Sequence, residues 1–380
     1  MATVNLPGGR SLALSGRAAW AKPAGPPTSR IAYAAAHVVA DPTAENAPGE
    51  PAVLDWETTL KFRHHLWSHG LGVAEAMDTA QRGMGLDYAA TKELIRRSAA
   101  EADSVGGRIV AGVATDQLAP GPVSLEQIRV AYTQQLADVA ETSAVPVLMC
   151  SRHLAAAAST ADDYLGIYVD LLEKSDKPVV LHWLGTAFDP ALEGYWGSSD
   201  VDKATETLLE LINANPAKVD GVKVSLLDAD HEIGLRRRLP EGVRLYTGDD
   251  FNYPQLIRGD EQGYSDALLG IFAAIAPAAA AAFAALDRGD LDEYDRIFAP
   301  TVPLSRHIFK KPTFYYKTGI VFLAWLAGHQ DHFTMVGGLQ SGRSVPHFAT
   351  LIELADAAGL LPDPDLAAAR ANRFFEVMAG

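Results

Sequence analysis

Residues 219–228 read VDGVKVSLLD, a short β-branched run with a lysine at its centre. Val219, Val222 and Val224 suit a strand. Gly221, Leu226 and Leu227 leave almost no polar alternation, the pattern of a strand covered on both faces as in a parallel sheet. If one face were wet, Lys223 would simply point to water. In a doubly covered strand it has no water, and a buried ammonium is costly unless it is paired or neutral.

Outward from this run the chain alternates. Strands are expected at 30–40, 71–78, 108–116, 145–151, 177–185, 218–226, 243–250 and 265–272. Helices are expected at 58–70, 87–107, 124–143, 160–176 and 199–216. The 87–107 segment opens on an Asp N-cap and stops at glycine, and 124–143 opens on an S-x-x-Q capping box. Eight strands with helices between them select a parallel α/β fold. No G-x-G-x-x-G follows an early strand, which weighs against a dinucleotide-binding doubly wound sheet. The expected fold class is therefore α/β, a (β/α)8 TIM barrel over residues 30–300. Residues 1–29 read as an N-terminal hairpin (TVNLPGGRSLALS) and a KPAGPP linker, and residues 301–380 as C-terminal helices packed on the barrel. Within them TGIVFLAWLAGH (318–329) is apolar enough to cover the barrel or another subunit. The apolar run 266–286 is broken by Pro277, and its poly-alanine part reads as a tightly packed helix.

Composition fits this reading: 380 residues, 48% hydrophobic and 21% charged, suit a large globular core. A net charge of −15 weighs against nucleic acid or an anionic membrane as partner. The single cysteine, Cys150, permits no intrachain disulfide, so a cytoplasmic location is expected. The N-terminal stretch lacks the apolar core of a signal peptide, and no apolar run reaches membrane-span length.

In a barrel of this kind, chemistry sits at the C-terminal strand ends. Polar candidates there are His37, Asp78, Asp116, Arg152, His153, His182, Trp183, Lys223, Asp249 and Asp250. Each has a plain structural reading: His37 as a packed histidine, Asp116 as a loop opener, Asp249 and Asp250 as helix caps. Their joint placement at most of the strand ends favours a site.

The order of motifs resembles the dihydrodipicolinate synthase / N-acetylneuraminate lyase family, in a divergent, synthase-like branch. HLWSHGLGVAEAMDTAQRGMGLDYAATKELI is similar to that family's first helix, second strand and next helix; KPVVLHWLG to the fifth strand; VDGVKVS to the sixth, Gly-Ile-Lys; VRLYTGDD to the seventh, Ser-Gly-Asp-Asp; and PTFYYKTGIVFLAWLAG to the helix after Pro-x-x-x-x-Lys. The similarity spans roughly residues 30–330. It implies that Lys223 forms a Schiff base with a carbonyl substrate, that no cofactor is needed, and that the protein is a homo-oligomer. The family's carboxylate cradle, Gly-Thr-Thr-Gly-Glu, falls on Asp78, Thr79, Ala80, Gln81 and Arg82, where only Thr79 is retained. Asp78 would repel a carboxylate, whereas Arg82 would attract one if it points inward. The family's relay tyrosine falls on His182, and its tyrosine pair falls near Arg152 and His153. Dihydrodipicolinate synthesis itself is not expected.

The leading expectation is a Schiff-base (class I) aldolase, lyase or dehydratase acting on a small carbonyl compound such as a sugar-derived keto compound. Lys223 would be the nucleophile and His182 the acid/base. Thr79, Asp78, Arg82, His37, His153, Trp183, Asp249 and Asp250 would bind substrate. An alternative is a divalent-metal barrel enzyme using His37, Asp78, His153, His182 and Asp249, although no H-x-H or H-x-x-E-H spacing occurs. A third is a non-catalytic binder of a small molecule.

Overall fold

The computed structural model describes residues 2–16 and 20–379. Among these residues ten strands form two sheets. β1 (Thr3–Leu6) and β2 (Arg10–Ala13) make the expected N-terminal hairpin, closed over Gly8 and Gly9 at positive φ. It is anchored on the C-terminal helix Pro364–Ala379, where Asn372 Oδ1 accepts from Asn5 N at 2.7 Å and its Nδ2 donates to Thr3 O at 3.0 Å. The chain ends thus pack together. Of the expected hairpin and linker, residues 17–19 lie outside the described residues.

The other eight strands close a parallel barrel: β3 (Ala32–Ala35), β4 (Gly72–Glu75), β5 (Ile109–Val113), β6 (Val145–Leu148), β7 (Val179–Leu184), β8 (Val219–Ser225), β9 (Arg244–Thr247) and β10 (Asp266–Leu269), with β10 pairing back onto β3. Their residues are almost all buried, because the lumen is filled on one side and helices cover the other. Tyr33, Ala74, Val110, Val147, Val180, Tyr246 and Leu268 plug the lumen. Gly221 leaves room for Tyr246: a Cβ there would meet its Cε2 at 2.7 Å.

The expected caps form as read. Asp87 accepts from Ala90 N ahead of helix Tyr88–Val105, which ends on Gly106 at φ +65°. Ser124 and Gln127 form a reciprocal capping box ahead of Leu125–Ala140. Two elements are corrected. The first strand occupies only Ala32–Ala35 of the expected 30–40, since the backbone leaves the sheet at the barrel mouth. The apolar run 266–286 is not a single helix, and Pro277 interrupts it as a kink rather than as an end. Strand β10 ends at Leu269, and helix Phe272–Asp287 passes through the proline with a kink at Ile275 (φ −114°, ψ 18°).

After the barrel the helices Leu291–Phe298, Thr301–Ile308, Tyr316–Leu326, Val345–Ala357 and Pro364–Ala379 share one continuous core with its outer layer. Nearly every residue of Tyr316–Leu326 is buried within the chain, so this apolar helix covers the barrel. It also touches the turn of 3-10 helix at Asp78–Ala80, above β4. No helix among the described residues is long and apolar enough to cross a membrane.

Candidate active site

Side chains of β8 alternate across the barrel wall. Val222 and Val224 face the helices, so Gly221, Lys223 and Ser225 face the lumen; Val219 also faces the helices because the ladder to β7 shifts register by one residue across Asp220. Lys223 is in register with His182 on β7 and Tyr246 on β9. Beyond β9, Gly248 is required: a Cβ there would lie 2.1 Å from Ser225 Oγ and 2.9 Å from Lys223 Cε.

Lys223 is 6% exposed, and its amine makes no hydrogen bond or ion pair among the described residues. Burial lowers its pKa, and the negative charges of Asp78 and Asp250 oppose that only in part. Around the amine lies an inner chamber lined by Asp78, Thr79, Ser225, Asp250, Tyr316 and Phe188 among others. Its free volume is about 10 Å³, close to the room needed by one water. Asp250 accepts from Ile271 N at 2.8 Å, and burial pushes its carboxyl up to about 7. Asp78 receives no hydrogen bond on its carboxylate among the described residues. Thr79 Oγ1 lies 2.7 Å from Tyr316 OH.

A larger cleft of about 560 Å³ adjoins the chamber, sharing Asp78 and Leu184 with it. Its wall includes Arg82, Thr115, Asp116, Ser151, Arg152, His153, His182 and Asp189. Arg82 does not offer itself to a ligand: all five of its N–H donors are used. Nε and Nη2 grip Asp116 at 3.0 and 2.7 Å, Nη1 bonds Gly112 O and Ala76 O at 2.6 and 3.3 Å, and Nη2 also bonds Gln135. Arg152 pairs with Asp189 at 2.5 Å. His153 lies 3.1 Å from Thr115 Oγ1 and 3.2 Å from Ala119 O.

His182 lines the outer cleft rather than the chamber. Its Nε2 is 3.3 Å from Ser225 Oγ, and its Nδ1 is buried without a partner. Burial, and then the neighbouring Lys223 charge, hold its pKa well below the ordinary value, so the ring is neutral near pH 7.

Three expected binding residues lie elsewhere. His37 bonds Gln330 Oε1 through Nε2 at 2.9 Å and packs on Phe62, lining neither cavity. Trp183 follows His182 by one residue and so points outward, edge-on to His231. Asp249 is spent on its own turn, accepting from Phe251 N and Asn252 N at 2.8 and 3.0 Å. Consequently His37, Asp78, His153, His182 and Asp249 do not converge, and among the described residues no three His, Cys, Asp or Glu side chains could hold a metal ion.

Ser225, Phe188 and Tyr316 were missed in the sequence. Alternation from Lys223 would have found Ser225. Phe188, in a loop, and Tyr316, 93 positions downstream, carry no periodic signal.

Solved structures share this architecture. Dihydrodipicolinate synthase from Aquifex aeolicus superimposes with TM-score 0.66 at 13% identity, covering 87% of this chain and 99% of that one. The enzyme from Bacteroides thetaiotaomicron gives 0.66 at 14%, covering 86% and 99%, and that from Bacillus clausii 0.64 at 16%, covering 87% and 98%. At such identity the likeness establishes the barrel and not the reaction. No curated protein matches the chain. A family model described as a protein of unknown function, DUF993, matches residues 7–379, and the chain belongs to that family.

Proposed function

We propose that this protein is a Schiff-base lyase of the aldolase or dehydratase type, using Lys223 on a neutral, hydroxylated carbonyl compound. One observation carries the reading: an amine buried in the lumen at the C-terminal end of a barrel strand, with no hydrogen bond or ion pair among the described residues to occupy it. A structural lysine in that position would be expected to have a partner. A nucleophilic one needs a lone pair, and burial favours the neutral form.

The chemistry follows from the neighbours. The Nζ lone pair adds to the carbonyl carbon and forms the C–N bond. The carbonyl oxygen, protonated, leaves as water, and an iminium remains. A C–C or C–O bond one carbon away then breaks, its electrons held as the enamine. Protonation and hydrolysis restore the amine. Asp250 carries the proton in this scheme, because a carboxyl poised near 7 can give and take one near neutral pH. His182, neutral and reaching the chamber only through Ser225, positions that hydroxyl.

The walls support a neutral substrate. Arg82 and Arg152 are already paired, Asp78 is not, and Lys317, although it feels Asp78, is turned to Met84 Sδ at 3.2 Å and lines neither cavity. A carboxylate beside the carbonyl therefore meets no free cation on these walls. Thr115 and Ser151, whose hydroxyls bond each other at 2.6 Å, keep lone pairs that can accept from a polyol chain lying in the cleft.

Borohydride trapping tests this. The protein is incubated with neutral ketones, hydroxyketones and keto acids, reduced, and read by intact mass and peptide mapping. A reduced adduct on Lys223, formed with neutral hydroxyketones more readily than with pyruvate, is expected. Folded protein that traps nothing across the panel would end the reading.

A further inference from the structure

We infer that the hydroxyl pair Tyr316–Thr79 holds the substrate's carbonyl oxygen while Lys223 attacks its carbon, so that the segment following the barrel completes the catalytic chamber. This rests on the Schiff-base reading above. Thr79 rises from the turn above β4, and Tyr316 opens a helix 237 residues later, yet the two oxygens stand 2.7 Å apart on the wall of the chamber that holds Lys223. Both side chains are buried.

Counting donors gives the argument. Two hydroxyls bring two O–H donors. Their mutual bond uses one. Neither hydroxyl has any other hydrogen-bond partner among the described residues, so one O–H remains for the chamber. An unused donor inside a dry core is costly unless something accepts it. In a space the size of a single water, the acceptor and the target of Lys223 share the same small volume.

The phenol cannot swing away. Its ring stacks on Phe309 at 4.3 Å and 15° and meets Phe188 edge-on at 6.1 Å. Burial, with the charge of Asp78, keeps the phenol protonated well above its ordinary range, which makes it a standing donor rather than a base. As the Nζ lone pair forms the C–N bond, the carbonyl π pair moves onto oxygen. The free O–H of the pair meets that growing charge, the proton lost by nitrogen reaches the oxygen by way of Asp250, and the Asp250 carboxyl gives the second proton with which the oxygen departs as water. A fixed donor in a water-poor site is worth about 10²–10³-fold in rate.

The test follows the rate of adduct formation on Lys223 with dihydroxyacetone, quenched by borohydride at timed intervals. Tyr316→Phe keeps the ring and its stacking, and Thr79→Val keeps the shape of the threonine. Each is expected to slow trapping by about 10²–10³-fold at every pH, with an unchanged melting temperature. The double variant is expected to be no slower than the slower single one, because the pair acts as a unit. Thr79→Ser, which restores the hydroxyl, is expected to recover most of the rate. Tyr316→Phe trapping within about threefold of the unaltered protein would overturn the proposal, as would losses that multiply in the double variant. Should Tyr316→Phe fail to fold, Thr79→Val against Thr79→Ser decides alone. An unaltered protein that traps no ketone at all removes the Schiff-base reading itself, a distinguishable result.

Discussion

Among the buried cations of the described residues, Arg63 and Lys223 are treated in opposite ways. Arg63, fully buried, grips Glu75 through Nε and Nη2 at 2.9 and 2.8 Å and gives both Nη1 donors to Thr59 O and His37 O. Lys223 is nearly as buried, and its amine has no hydrogen bond or ion pair among the described residues. Around Arg63 each charge is answered by another, the condition under which a buried ion pair is tolerated. Around Lys223 the charges of Asp78 and Asp250 are near enough to act but do not close on the amine. The contrast separates a charge kept for structure from one left open around a cavity. Stability forgone in one place, while the same fold satisfies a comparable group elsewhere, is what a reactive site requires.

The sharpest way to break the comparison is to exchange the cations. Lys223→Met is expected to abolish borohydride-trapped adduct entirely while leaving urea stability equal or higher, since no partner is orphaned. Arg63→Met, measured the same way, is expected to lose about 3–5 kcal/mol because Glu75 is left charged and alone. Equal destabilisation by the two changes would mean that Lys223 has a structural partner after all.

Asp250→Asn gives the next largest effect. Asp250 raises the Lys223 pKa, so its removal should move the midpoint of adduct formation to lower pH, while the maximal rate falls by about 10²-fold or more as the proton carrier is lost. Stability supplies an independent check. The native carboxyl is raised from 3.8 to about 7, so its contribution is full below about pH 4 and is lost as pH rises through 7. Denaturation curves of the Asn variant should lack that loss between pH 4 and 7. For Lys223 the sign is reversed: a depressed amine binds fewer protons in the native state, so its penalty fades as pH rises toward 10.5.

The smallest effect expected concerns access. Phe188 helps to close the chamber, packing edge-on against Phe309 and Tyr316. Phe188→Ala should widen it and shift the ratio of trapping rates several-fold toward bulkier ketones. An unchanged ratio would show that the entrance lies elsewhere.

Much of the fold was legible. Runs of β-branched residues alternating with capped amphipathic helices placed the eight strands and their order, because backbone pairing and helix capping are local demands that composition must meet. The first strand was read too long, since small apolar residues such as Ala34–Ala36 serve equally in a strand and in the covered turn beyond it. The site was less legible. Lys223, Thr79, Asp78 and Asp250 were found and share one chamber, yet Trp183, Asp249 and His37 were proposed beside them and face elsewhere.

By itself the sequence determined a parallel α/β barrel with a lysine in a strand that has no wet face. Period-two alternation and the scarcity of polar residues around it suffice for that. Only the tertiary structure decided which way each side chain turns, that Arg82 exhausts its donors on Asp116, Gln135 and two carbonyls, and that Tyr316 reaches across 237 residues to Thr79. Hydrogen-bond satisfaction and the filling of a closed volume depend on partners distant in the chain, and no local pattern encodes them.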